Sequence, residues 1–261
     1  MFQKNVMREY SLFLSSVASS AGKVVTTDVA YIGDESGTFY AVNVRDGSLV
    51  WAVYLGMTQN SCQDLPYGQF GIGSTAVLDR SAGLVYAMGG SGTFYALSMR
   101  DGSVAWSLSL AETVDTSLLR NYGALQLYRN LVFVPFAGFC DNGLYPGQVL
   151  SVSVTTKSLW SVFYPARGPS GQFYGGGVWG AGGVTVGAGA QNGSIFFATG
   201  NSVTGPSENV NYCDKPVQLR ARDLSFLNTV TPDFTLEVGD DDFGATPILF
   251  NKDVRFLLRD D

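Results

Sequence analysis

Histidine does not occur in the 261 residues. Its absence removes Ser-His-Asp triads, His-ligated zinc and His-ligated haem from the chemistry these residues can supply. Cysteine is scarce, and Cys62, Cys140 and Cys213 lie far apart. That dispersal does not match zinc-ligand spacing; it leaves room for one disulfide with one thiol over. Charge is also sparse, at 15% of residues, with 16 Lys plus Arg against 22 Asp plus Glu. A net charge of −6 lacks the basic footprint that phosphate binding needs, so nucleic acid is not an expected partner. No apolar run approaches the roughly 20 residues of a membrane-spanning helix. Lys4 and Arg8 ahead of Ser11-Leu12-Phe13-Leu14 echo a signal peptide faintly, but the apolar stretch is too short to make one.

What the chain does have is repetition. Ser36-Gly37-Thr38-Phe39-Tyr40-Ala41 recurs unchanged as Ser91-Gly92-Thr93-Phe94-Tyr95-Ala96. Each copy is followed by Arg-Asp-Gly-Ser, at Arg45 to Ser48 and Arg100 to Ser103, and then by Trp51 or Trp106. A fixed long period means one supersecondary unit used repeatedly. Thr, Val and aromatic residues fill the runs, as a pleated, half-buried surface requires. Asp46-Gly47 and Asp101-Gly102 are hairpin turns, because glycine takes the positive φ of a tight reversal. With Ser74 to Leu78 as a first strand, the unit reads as a four-stranded up-and-down sheet. Weaker copies follow, one ending at Trp160 and one with Phe226 or Leu227 in the tryptophan's place. A fifth opens at Ala245 to Phe250. Thirty-two glycines suit a turn-dense all-β chain.

The strand order sorts the loops. Turns between strands 1 and 2, and between 3 and 4, fall on one face and are short. The 2–3 turns and blade-to-blade connections fall on the other and are long: residues 56–73, 111–121, 137–147, 166–179, 202–216 and 229–244. Long loops on a rigid scaffold carry binding. All three cysteines, Trp179, Asn201 and the Asp240-Asp241-Asp242 run lie there. Cys140 and Cys213 occupy loops of consecutive blades on this face, which makes them the expected disulfide pair. Such a bond would imply an oxidising compartment.

The pattern of apolar strand, Gly-Thr-aromatic-Tyr-Ala, Asp-Gly and Trp resembles the PQQ-type β-propeller repeat of the quinoprotein alcohol dehydrogenase-like superfamily. The finer pattern of the second half resembles the polyvinyl-alcohol-dehydrogenase-like branch. It comprises Gly175-Gly176-Gly177-Val178-Trp179-Gly180, Phe197-Ala198-Thr199-Gly200-Asn201, and Asp240-Asp241-Asp242-Phe243-Gly244-Ala245-Thr246-Pro247. The resemblance implies an all-β propeller of four-stranded antiparallel blades over residues 24–261, after an N-terminal segment at 1–23. About four blades and the start of a fifth are fewer than the family's usual seven or eight, so an incomplete ring is expected. It implies that Trp51, Trp106 and Trp160 dock blade on blade.

For function, the resemblance implies that Trp179 is a floor for a stacked quinone, Asn201 a calcium ligand, and Asp242 a general base beside the metal. Two of the family's parts are missing. The third-blade stretch Phe136 to Asp141 contains no glutamate for calcium, only Asp141, and no adjacent cysteine pair exists to cover a quinone. Each residue also has a plainer reading: Trp179 as packing at a blade junction, Asn201 as a turn residue, the aspartate run as a solvated loop. Gly175-x-Gly177-x-x-Gly180 spells a dinucleotide fingerprint but leads into Val184-Thr185-Val186 and not into a helix. Two functions therefore compete. One is a propeller whose loop face binds a protein or small-molecule ligand, with no cofactor held by this chain alone. The other is a PQQ- and calcium-dependent dehydrogenase of alcohols or polyols. Both are expected outside the cytoplasm.

Overall fold

The computed structural model describes residues 11–18, 24–63, 65–141, 143–187, 193–203, 212–231 and 242–249. Four antiparallel sheets follow one another along the chain. The first joins β1 (Ser11–Ala18), β2 (Val24–Gly33), β3 (Thr38–Asn43) and β4 (Leu49–Tyr54) in order. A small ribbon of β5 (Thr58–Gln59) and β6 (Gln69–Phe70) lies within the connection to the second sheet. That sheet contains β7 (Val77–Asp79), β8 (Leu84–Met88), β9 (Thr93–Ser98) and β10 (Val104–Ser109). The third contains β11 (Leu119–Arg120), β12 (Gln126–Tyr128), β13 (Leu131–Gly138), β14 (Gln148–Ser153) and β15 (Ser158–Phe163); β11 and β12 both pair with β13. The fourth contains β16 (Thr185–Val186), β17 (Ser194–Ala198), β18 (Pro216–Arg220) and β19 (Phe226–Thr229).

This is the blade pattern that the repeat predicts, with one addition. β1 pairs with β2 from Ser11↔Tyr31 to Ala18↔Val24, so the first blade begins ahead of residue 24. Ser11-Leu12-Phe13-Leu14 belongs to that strand. The fifth unit is seen only as residues 242–249, which pair into no named strand; Phe250 onward lies outside the described residues, as do Asp240 and Asp241.

The core is divided among the blade junctions. Tyr31, Phe39 and Trp51 of the first blade pack with Val85, Leu97 and Met99 of the second. Tyr86 and Phe94 of the second pack with Val132, Phe136 and Val152 of the third. Leu131 and Phe133 of the third pack with Ile195, Phe197 and Leu219 of the fourth. β13 is buried at every position because a neighbour covers each of its faces. Blades thus bury their apolar faces on one another, as a repeat architecture must.

A repeated bond aligns the four blades independently of sequence. The N–H just past the third strand bonds back to a carbonyl at the 1–2 turn in three blades, Met99 to Gly83, Val154 to Asn130 and Ala221 to Gly193, and to the equivalent Asp28 within β2 from Val44 in the first. In this alignment Ala41, Ala96, Ser151 and Gln218 are equivalent, and their partners are Trp51, Trp106, Ser161 and Asn228. The tryptophan position of the third blade is therefore Ser161, and that of the fourth is Asn228, not Phe226 or Leu227. Every outer strand carries a one-residue bulge there, and Trp160 falls on it. Trp51 is buried and donates to Met99 O at 3.2 Å in the next blade. Trp160 also reaches its neighbour, donating to Arg222 O at 2.7 Å, but stays 55% exposed.

The turns, and the 111–121 loop, share one device. Ser36, Ser48, Ser81, Ser103, Ser117 and Ser225 each donate their hydroxyl to the aspartate two residues earlier, at 2.6–2.7 Å. Such Asx turns hold the reversal locally.

Candidate functional site

The long-loop face is built around glycine. Gly175 and Gly176 adopt φ of 94° and 69°, where side-chain-bearing residues are strained. This lets the turn before Trp179 thread between two other segments. Gly147 N donates to Gly175 O at 3.1 Å, Gly176 N to Asn201 O at 2.9 Å, and Gly200 N to Gly177 O at 2.7 Å. The backbone lattice carries Trp179 and Asn201 to the same place. Asp242 joins them through its Oδ1, which accepts from the Asn201 N–H at 2.5 Å. A Cβ on Gly200 would lie 2.4 Å from that Oδ1 and 2.8 Å from Trp179 Cδ1, so the close approach depends on glycine. The structure thus brings Trp179, Asn201 and Asp242, which are spread over 64 residues of sequence, into one cluster.

Two polar atoms of this cluster, Trp179 Nε1 and Asn201 Oδ1, are buried without a hydrogen-bond partner among the described residues. Buried polar groups without partners are uncommon and point to a missing ligand, ion or water. Beside the cluster stands Tyr145, fully buried in the space left by Gly138. Burial first, then the charges of Asp141 and Asp242, push its phenol well above the ordinary range. Asp141, the third-blade carboxylate, therefore faces the same phenol as Asp242. Cys213 is the thiol left over. Burial first, then Asp214, raises it to about 12 against the opposing charge of Lys215.

Sequence reading missed Arg120. Its guanidinium carbon lies 5.0 Å from the Trp179 ring centroid, 5.5 Å from that of Phe139 and 5.6 Å from that of Tyr122. A cation over aromatic faces is held by the ring quadrupoles. Three rings from three separate segments make this cage, and nothing in the residue's own neighbourhood announces it. Its charge also opposes the burial that raises the Glu35 carboxyl. The cavity alongside, lined by Gly89, Gly90, Arg120 and Asn121, measures about 10 Å³, which is room for one water.

The disulfide differs from the expected pair: Cys62 bonds Cys140, with Cα atoms 5.6 Å apart. The connection holding β5 and β6 folds over the loop face, where Asn60 Nδ2 donates to Ser117 O at 2.7 Å. There Cys62, Leu65 and Phe70 pack against Phe139 and Cys140, and Phe70 meets Phe139 edge to face at 5.6 Å. Sharing a face was necessary for pairing but did not choose among three cysteines. The reach of the longest loop chose.

Residues 13–201 match the PQQ_2 family, described as outer membrane protein assembly factor BamB. The chain belongs to the PQQ_2 family. Solved structures agree on the fold. Quinohemoprotein alcohol dehydrogenase from Comamonas testosteroni superposes with a TM-score of 0.60 at 16% identity, over 85% of this chain and 37% of that one. The quinohemoprotein alcohol dehydrogenase ADHIIG from Pseudomonas putida HK5 gives 0.59 at 16%, over 85% and 36%. A europium-containing methanol dehydrogenase gives 0.57 at 16%, over 82% and 43%. This PQQ_2 chain spans well under half the length of those proteins, and likeness at such identity concerns the fold alone. A search of curated proteins found no match.

Proposed function

We propose that this PQQ_2 chain is a propeller segment whose long-loop face binds a ligand or partner without quinone chemistry. Arg120 is the observation that carries the reading. A quinone stacked on Trp179 needs a free indole face, and the protein's own guanidinium lies 5.0 Å over one of the two. With that face taken and no adjacent cysteine pair to cover a quinone, the site residues support a quinone poorly. For calcium, Asn201 Oδ1 is a suitable oxygen, but Asn201 and Asp242 are a small share of the six to eight oxygens that calcium takes. The ligand is instead met by the half-buried indole, Arg120 and the carboxylates of Asp141 and Asp242. The Cys62–Cys140 bond supports an extracytoplasmic setting, because such bonds persist in oxidising compartments.

The second reading, an alcohol or polyol dehydrogenase using PQQ and calcium, is favoured by the meeting of Trp179, Asn201 and Asp242. Titration with PQQ and calcium separates the two. The expected result is no quinone absorbance carried through gel filtration and no dye reduction with alcohols or polyols. Retained quinone that is lost in both Trp179→Ala and Asn201→Ala would overturn the binding reading.

A further inference from the structure

The opposite face carries its own pattern. Arg45, Arg100, Lys157 and Arg222 occupy the 3–4 turns of the four blades, and Arg80 and Arg129 the 1–2 turns of the second and third; all six are exposed. Directly after the 3–4 turns, exposed apolar residues recur in the same register. Leu49, Val104 and Phe226 are equivalent by their partners Val42, Leu97 and Leu219, and are 61%, 49% and 42% exposed. In the third blade the equivalent residue, Leu159, is half-buried, and the exposed apolar side chain is its neighbour on the bulge, Trp160, at 55%. Each blade thus presents a cation near an exposed apolar side chain, of which Phe226 also stacks on Tyr212 with ring centroids 4.7 Å apart. Asp46, Asp79, Asp101 and Asp223 share these turns, each bonded to its own turn's serine, and Asp223 also pairs with Arg222 at 3.1 Å. Glu112, Asp115, Asp141, Asp214 and Asp242 lie on the long-loop side, and in the short turns the six cations outnumber the four carboxylates among the described residues.

We infer that the short-turn face docks onto an anionic phospholipid surface. The chemistry favours a bilayer over other polyanions. Duplex nucleic acid is held through its phosphates by basic and polar groups and has no use for four spaced apolar tips. A protein partner wants a contiguous apolar centre with a polar rim, whereas these side chains are spread over four blades. A membrane interface takes single apolar side chains into the headgroup boundary, favours tryptophan there, and attracts the neighbouring cations.

The test is co-sedimentation of the full chain with phosphatidylglycerol-containing vesicles and with pure phosphatidylcholine vesicles. Binding is expected only to the anionic vesicles, with loss as salt rises and a blue shift of tryptophan emission. Arg45→Glu with Arg100→Glu should weaken it by at least the roughly fivefold per residue expected for each lost cation. Leu49→Ser, at an exposed position, should weaken it further, with circular dichroism unchanged. Equal binding to both vesicle types, indifference to these variants, or equally strong capture by duplex DNA at the same salt would overturn the proposal.

Discussion

At Gly200 a single hydrogen atom separates a formed cluster from a broken one. An alanine Cβ would meet both Asp242 Oδ1 and Trp179 Cδ1 inside contact distance, so one of them must move. Gly200→Ala should therefore destabilise by about 1–3 kcal/mol, the usual cost of overpacking. It should also lengthen the Asn201 N–Asp242 bond. Urea melts followed by tryptophan emission would check both the stability and the local change; an unaltered midpoint would mean that the cluster is looser than it stands here. Arg120 shows what sequence cannot supply at this scale. Trp179, Asn201 and Asp242 sit in motifs with recognisable spelling, whereas Arg120 gains its place from rings at 122, 139 and 179.

At the scale of elements, what was legible was what is local. Asp-Gly turns, alternating strands and the 55-residue offset depend on neighbours a few positions away, and they give the blades correctly. The third and fourth tryptophan positions were not legible, because a one-residue bulge moves Trp160 out of the partnered site and leaves Ser161 and Asn228 there. Pairing of cysteines was not legible either, since it is decided by how a loop crosses the face. The Cys62–Cys140 bond closes a separation of 78 residues, for which the chain-entropy relation gives about 4.5 kcal/mol of stabilisation. Cys62→Ser together with Cys140→Ser should lower stability by about that amount, read from denaturant midpoints. A loss under about 1 kcal/mol would show that the loop is held by its packing and not by the bond.

Taken as a whole, the molecule concentrates its response to acid in its turns. Asp46 and Asp101 are held low first by their serine hydroxyls, and Asp223 is likewise brought to about 2. For Asp34, burial alone would raise the value, but bonds from Ser36, Thr38 and Tyr40 outweigh it. A depressed carboxylate adds stability above its unfolded pKa, and that contribution is lost as pH falls through the folded value. Glu35, raised by burial, acts with the opposite sign. With four lowered groups against one, Tm should fall as pH drops from about 4 toward 2. Thermal melts across that range would check it, and Asp34→Asn should flatten the slope; a Tm that rises on acidification would contradict the assignment.

The disulfide has one more consequence at this scale. Its two ends flank the entire second blade, so residues 62–140 form a closed covalent ring. A protease cutting once anywhere inside that ring would leave every part of the chain attached. Damage to the second blade would go unseen until the bond was reduced.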